Sequence, residues 1–248
     1  MGITAVVIPC YNEYERLKID EFAAFIKTND NVNFIFVNDG STDKTGEAIS
    51  GLCNLSPGRV ISVILEKNCG KAEAVRCGIL KAMGMDFKYI GYMDADLSTP
   101  LYAIDKFIEL IENPETMVVM GARVKLLGRK IERKAYRHYL GRLFAACASI
   151  VLSVPVYDTQ CGAKLFKNNK DLNTVFSRPF SVKWIFDVEI LARFKSLKRF
   201  ESEKWLEKSV KEYPLEEWMH VSGSHLKPIH YFTAISDLIK IFIFLHKK

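Results

Sequence analysis

Five short apolar runs recur along the first half of the chain: AVVIP (5–9), NFIFV (33–37), VISVIL (60–65), YIGYM (89–93) and TMVVMG (116–121). Each is followed by polar turn residues, and stretches with a helical period lie between most of them. Runs of this length read as strands buried on both faces, and their alternation with helices reads as β-α-β units. The pattern therefore constrains the chain to an α/β fold, with a mostly parallel central sheet and helices on both faces. Open sheets of this kind bind ligands in the crevice outside the carboxyl ends of their strands. The polar segments after the strands are where chemistry is expected.

The helices are placed by period and caps. The first is expected from about Tyr14 to Lys27, the second is capped from within GSTDKT (40–45), and NCGKAEAVRCGILKAM (68–83) reads as a turn opening a third. Thr99 is a cap and Pro100 a first helical residue for a helix that aligns Ile104, Phe107, Ile108 and Ile111. A long helix is expected from about Ile131, a shorter one around VKWIFDVEILARF (182–194), and an amphipathic one near 230–246.

At 248 residues without a Pro/Gly/Ser-rich linker, the chain reads as one domain over 1–230. Residues 231–248 form a C-terminal helix that belongs to that domain or lies on a membrane surface. The longest apolar stretches, 143–154 and 239–245, fall short of the roughly 18 to 20 residues needed to span a bilayer. The six cysteines are scattered without a C-x-x-C pair, and the first residues resemble a strand rather than a signal peptide, so a reducing cytoplasmic location is expected. A net charge of +6 suits polyanionic ligands or an anionic membrane face. Nucleic acid is disfavoured, because no Lys/Arg block, RNP-like aromatic pattern or zinc spacing accompanies that charge.

Within YMDADLSTP (92–100), Asp94 and Asp96 follow a buried strand. If the strand continues they share a face and can reach one divalent cation, Mg²⁺ or Mn²⁺, which takes one or two protein carboxylates and completes its shell with waters and phosphates. In a solvated loop the same acids would merely cap a helix. VIPCYNE (7–13) has no glycine after its strand, which excludes a dinucleotide or Walker loop. Tyr11 can stack on a base, and Asn12 and Glu13 can bond a ribose; alternatively Asn12 is a helix cap. Asp39 in VNDGSTD offers an acceptor to an imide N–H, with Gly40 supplying the turn. Gly70 and Lys71 stand at a helix N-terminus, a site suited to anions. Arg123, and part of the set Arg133, Arg137 and Arg142, can meet phosphates.

Taken in order, VIPCYNE, VNDGSTDKT, NCGKAEAVRCGI, YMDADLSTP, GAR, DTQCGAKLF and WIFDVEIL resemble glycosyltransferase family 2, in particular its dolichyl-phosphate glucosyltransferase and polyprenyl-phosphate glycosyltransferase branch. The resemblance covers roughly residues 3 to 245 and implies a GT-A fold, a nucleotide-sugar donor, a divalent metal and inversion at the anomeric carbon. Carried over, it implies that Pro9, Tyr11, Asn12, Glu13, Asp39, Gly70, Lys71, Asp94 and Ala95 hold the nucleotide sugar, with Asp94 and Asp96 on the metal. Arg123 and Arg137 would meet phosphates. Gln160, Cys161, Trp184, Asp187 and Glu189 would border the sugar or acceptor pocket, and Trp218, Ser224 and Lys227 would belong to a closing loop.

Three residues depart from the family pattern. Asn38 replaces one of the usual two acids before Gly40, Ser98 stands where mannosyl-phosphate synthases carry Gln, and Ala163 replaces an aromatic. The reading is a hexosyltransferase, glucose and UDP favoured, acting on a polyprenyl or dolichyl phosphate. The alternatives are a sugar-hydroxyl acceptor, for which Asp187 or Glu189 is the candidate base, and a GDP-mannose-dependent polyprenyl-phosphate mannosyltransferase. Oligomeric state is not legible.

Overall fold

The computed structural model describes residues 3–132, 135–198, 204–221 and 229–246. Its centre is a seven-stranded sheet built from β1 (Thr4–Cys10), β2 (Val32–Asp39), β3 (Val60–Leu65), β4 (Tyr89–Met93), β5 (Val118–Ala122), β7 (Ala163–Lys167) and β8 (Val210–Pro214). The order is β3-β2-β1-β4-β7-β5-β8. A separate parallel pair joins β6 (Lys130–Ile131) to β9 (Glu217–Trp218). All main-sheet pairings are parallel except those of β7, which runs antiparallel between β4 and β5. The sheet is thus mixed but mostly parallel, and β7 and β8 are strands that the apolar-run pattern does not reveal.

Side-chain alternation along the strands feeds two cores, one on each face. Ala5, Val7, Ile35 and Val37 pack with α3 (Lys71–Met83), α5 (Ala135–Leu152), α6 (Lys170–Phe176), α7 (Phe186–Lys198), α8 (Trp205–Ser209) and α9 (Ile229–His246). Val6, Ile8, Phe34 and Phe36 pack with α1 (Ile19–Thr28), α2 (Thr45–Leu55) and α4 (Ala103–Ile111). Period 2 in the strands is what divides them this way. Gly78 on α3 lets the helix settle on the sheet, since a β-carbon there would overlap Val7 and crowd Val37.

Helix boundaries differ from expectation at three places: Ile131, expected to open a long helix, lies in β6, with α5 running from Ala135, and the other two are beside the strand ends. α1 begins at Ile19 rather than Tyr14 because Asn12 takes a positive φ of 52° and the amides of Arg16 and Leu17 turn back onto the Glu13 carbonyl. α4 begins at Ala103: Pro100 and Leu101 accept from Ala103 and Ile104 in a turn, so neither Thr99 nor Pro100 starts the helix. Ile104, Phe107 and Ile111 are buried as expected.

The C-terminal helix α9 lies against α5 and α7. Ala234, Leu238 and Ile241 enter the core, while Ile235, Ile239, Phe242 and Ile243 face outward. Leu238 is therefore an inward anchor, apart from the outward apolar face of Ile235, Ile239 and Phe242. No helix among the described residues is long and apolar enough to cross a membrane.

Candidate active site

Three loops meet where β1, β2 and β4 end. The Asn12 amide donates to Ser41 Oγ at 3.1 Å, and Asn12 Oδ1 accepts from the Thr42 amide at 2.9 Å. The Glu13 amide donates to Thr45 Oγ1 at 2.9 Å. Asn12 caps no helix, and its side chain stitches the loop after β1 to the loop after β2. The carboxylate of Glu13 pairs with Arg16, and its Oε2 is buried with no hydrogen-bond partner among the described residues. Burial first, then Asp96 and Asp94, push the Glu13 carboxyl above the ordinary range against the pull of Arg16.

Asp39 is almost fully buried, and its two oxygens accept from the amides of Cys69 and Gly70 at 2.7 and 2.8 Å. The acceptor expected for a nucleobase imide also clamps the turn that opens α3. Gly40 makes that turn possible: its φ is 66°, and a β-carbon would lie 2.5 Å from the Lys67 carbonyl carbon. The clamp brings Lys71, the first residue of α3, into an ion pair with Asp94.

Asp94 and Asp96 are partly exposed just beyond β4, with Ala95 buried between them. The Asp94 amide donates to the Gly162 carbonyl at 3.0 Å, continuing the β4–β7 pairing by one step. Its carboxylate rests on Gly162, where a methyl group would sit 2.6 Å from one oxygen and closer to the other. Asp96 Oδ1 accepts from the Ser98 amide at 3.0 Å, and Leu97 takes a φ of 51° to close that turn.

Beneath this floor lies a buried polar hub. Lys164 Nζ donates to the carbonyls of Thr159 at 2.9 Å and Cys161 at 2.7 Å and pairs with Asp187, which also accepts from the Tyr92 hydroxyl. Asp187, expected at the acceptor pocket, is instead buried as the counter-ion of Lys164. Glu189 is likewise committed. It is buried, accepts from the amides of Ser181 and Val182, and pairs with Arg193. A buried carboxylate with this many donors holds a loop in place rather than facing a substrate.

Arg123 forms a two-pronged pair with Asp158 at 2.6 and 2.7 Å and stacks over the Trp218 ring with its centre 5.3 Å away. Burial works against its charge, but Asp158 more than compensates and holds the guanidinium's pKa above its ordinary value. The guanidinium expected to meet a phosphate is anchored by this internal pair. Asp158 also accepts from the Gln160 amide, while Gln160 Nε2 is buried with no hydrogen-bond partner among the described residues. Cys161 is fully buried against Gly121 with its thiol pushed up to about 11, chiefly by burial, and does not border a pocket. Arg142 donates to the Tyr157 carbonyl and stacks on its ring, so it tethers the 157–158 segment instead of forming an open cationic face. The amides of Tyr157 and Asp158 donate to Glu212 on β8.

Pro9 ends near this site in register with Val37, and Tyr11 stands partly exposed beside it. The amide of Met219, next to Trp218, donates to the Ser98 carbonyl, which ties the 217–219 segment to the loop after β4. Trp184 is exposed in the turn before α7. Ser224, Lys227 and Arg133, and the side chain of Arg137, lie outside the described residues. Asp158, Gly162, Lys164 and Glu212 had no assigned role in the sequence reading. A lysine inside an apolar run and a glycine beside a strand were the available signals.

Among the described residues, no group of three or more His, Cys, Asp or Glu side chains is arranged to hold a metal ion by itself. The residues present nevertheless suit Mg²⁺ or Mn²⁺, which needs only one or two carboxylates and draws the rest of its octahedron from water and phosphate. Asp94 already carries a cationic partner in Lys71, and the bare backbone of Gly162 leaves room for its carboxylate.

Comparison with known proteins agrees with this architecture. Residues 5–179 match the family model described as glycosyl transferase family 2. A dolichyl-phosphate beta-glucosyltransferase of Trichomonas vaginalis is 30% identical over 97% of this chain and 71% of its own length. One of Saccharomyces cerevisiae is 31% identical over 90% of this chain and 68% of its own. The fold superposes on glucosyl-3-phosphoglycerate synthase from Mycobacterium tuberculosis, solved with Mn²⁺, uridine diphosphate and glucosyl-3-phosphoglycerate. The TM-score is 0.67 at 17% identity, covering 98% of this chain and 80% of that one. A family-model match over residues 5–179, relatives aligned over up to 97% of the chain, a GT-A fold and an acidic pair at the end of β4 lead to one assignment: the chain belongs to glycosyl transferase family 2.

Proposed function

We propose that the protein is an inverting, metal-dependent glucosyltransferase that moves glucose from UDP-glucose to a dolichyl or other polyprenyl phosphate. The observation that carries the donor half is the Asp94–Asp96 pair, held at the strand ends with Lys71 against it. The synthase that shares the fold was solved with Mn²⁺ and UDP-glucose, which supports this reading. Asp94 and Asp96 would hold the divalent cation, which supplies positive charge to the leaving diphosphate. Gly162 and the Lys164–Asp187–Tyr92 hub keep Asp94 in position. Tyr11 and Pro9 would flank the nucleoside, and Gln160 would border the sugar.

The reaction is a single in-line displacement: an acceptor oxygen bonds to the anomeric carbon as the nucleoside diphosphate departs from the opposite face. A phosphate monoester, with its second pKa near 6, is already an anionic nucleophile at neutral pH and needs no base. The engagement of Asp187 and Glu189 inside the fold favours such an acceptor over a sugar hydroxyl. The names of the sequence relatives point to the same lipid phosphate.

Two adjacent helices add a physical reason. On α5, Tyr136, Tyr139, Leu140, Leu143 and Ile150 are exposed at helical spacing, and Ile235, Ile239, Phe242 and Ile243 are exposed on α9 beside it. Ile150 is 76% and Ile235 62% exposed. An apolar face of two helices suits the boundary of a bilayer that would carry the acceptor. Replacing both Ile239 and Phe242 by Glu is expected to lower liposome binding by about tenfold or more, on the scale of 0.8 kcal/mol per buried methylene, without loss of fold. Flotation with anionic vesicles reads this out. Unchanged flotation would remove α9 from the membrane contact.

The activity itself is tested by incubating the protein with a polyprenyl phosphate and radiolabelled UDP-glucose, UDP-galactose, UDP-N-acetylglucosamine or GDP-mannose, with Mn²⁺ or with EDTA. Lipid labelled from UDP-glucose only in the presence of metal is the expected result. Labelling from GDP-mannose alone would replace the donor, and labelling of a soluble sugar instead of lipid would replace the acceptor.

A further inference from the structure

Lys71 touches the very carboxylate read above as a cation ligand. Its backbone is fixed, because Gly70 before it adopts a φ of 91° and donates its amide to Asp39. Its side chain is not: it is 42% exposed, and the Asp94 side chain 37%. Burial works against the Lys71 charge, but the carboxylates of Asp94, Asp187 and Asp96 outweigh it and favour the ammonium. A monovalent cation on a flexible stem therefore occupies the position from which a divalent cation would engage Asp94. Two cations at contact distance from one carboxylate oxygen repel each other, so they compete for it.

We propose that Lys71 is an exchangeable counter-ion: it neutralises the acidic pair in the free protein, leaves Asp94 when the divalent cation enters, and moves its ammonium onto the nucleotide diphosphate that arrives with that cation. The proposal rests on the metal and nucleotide-sugar reading above. Lysine suits the task because its compact charge, on four rotatable carbons, serves a carboxylate or a phosphate equally well. In the absence of nucleotide, metal binding must break an ion pair and leave the ammonium without a partner. With nucleotide present, the diphosphate replaces the lost partner. Cation and diphosphate then bind cooperatively, and by linkage each raises the affinity of the other by the same factor. The cation would thus behave as a partner of the donor rather than a resident of the protein.

The test measures Mn²⁺ affinity directly, by the EPR signal of the free ion, in wild type, Lys71→Met and Lys71→Arg, each with and without UDP. Lys71 is a surface residue at a helix start, and neither substitution removes a core contact. Lys71→Met is expected to bind Mn²⁺ alone on the order of tenfold more tightly than wild type, since the competing charge is gone. The gain in Mn²⁺ affinity caused by UDP should shrink in the same variant, while Lys71→Arg stays close to wild type. If Lys71→Met binds Mn²⁺ alone no more tightly than wild type, while both bind it with UDP, the exchange is wrong and the metal reading survives. If no form binds Mn²⁺ even with UDP, the metal reading falls and the exchange falls with it.

Discussion

Gly162→Ala is expected to reduce turnover by about a hundredfold or more while leaving a folded protein. The added methyl would sit inside the Asp94 carboxylate, and that carboxylate, being the end of a flexible side chain, is what moves. A displacement of about 1 Å at a positioned charge is enough for a loss of this size. The backbone has little reason to change, because the amide of Asp94 still meets the carbonyl of residue 162. Steady-state kinetics beside a thermal melt separate the two effects. A melting temperature near wild type with a collapsed kcat is the expected outcome; wild-type kinetics would mean that the Asp94 position does not govern catalysis.

Lys164→Met is expected to act on stability, by about 3–5 kcal/mol, the usual result of leaving one member of a buried ion pair without its partner. The loss falls on Asp187 and on the carbonyls of Thr159 and Cys161, which share the ammonium. For a chain of this size the melting temperature should drop by roughly 10 °C. Adding Asp187→Asn to the same chain removes the unpaired buried charge and should recover part of the loss. If Lys164→Met melts like wild type, the hub is not holding the 159–162 segment, and Asp187 returns as a candidate for chemistry.

The layout of the site was legible because β1, β2 and β4 are apolar runs that stop abruptly at polar residues. Asp94, Asp96, Asp39 and Lys71 are gathered at those stops, as the α/β reading requires. Individual tasks were harder to read. Asp187 and Glu189, two acids at i and i+2 beside Trp184, look like catalytic groups in one dimension. In three, one faces a lysine from β7 and the other the amides of 181 and 182. Arg123 resembles a phosphate ligand until Asp158, 35 residues away, is folded against it. Long-range ion pairs of this kind leave no periodic trace.

The strands that went unseen have a related cause. AKLFK (163–167) carries a charge at its second position, and VKEYP (210–214) is a polar edge strand ending in proline. Neither shows the continuous apolar run of a strand buried on both faces, although Lys164 is buried because its charge is paired. Gly162 did leave a sign, since a glycine at a strand end commonly marks a close approach by another group.

The central claim is that Asp94 binds the nucleotide sugar through a divalent cation. Calorimetric titration of UDP-glucose, with Mn²⁺ and with EDTA, into wild type and Asp94→Ala tests it without any acceptor. The account predicts binding by wild type that EDTA removes, and loss of metal-dependent binding in Asp94→Ala, with thermal stability little changed. Equal binding of UDP-glucose by both proteins in EDTA would contradict it.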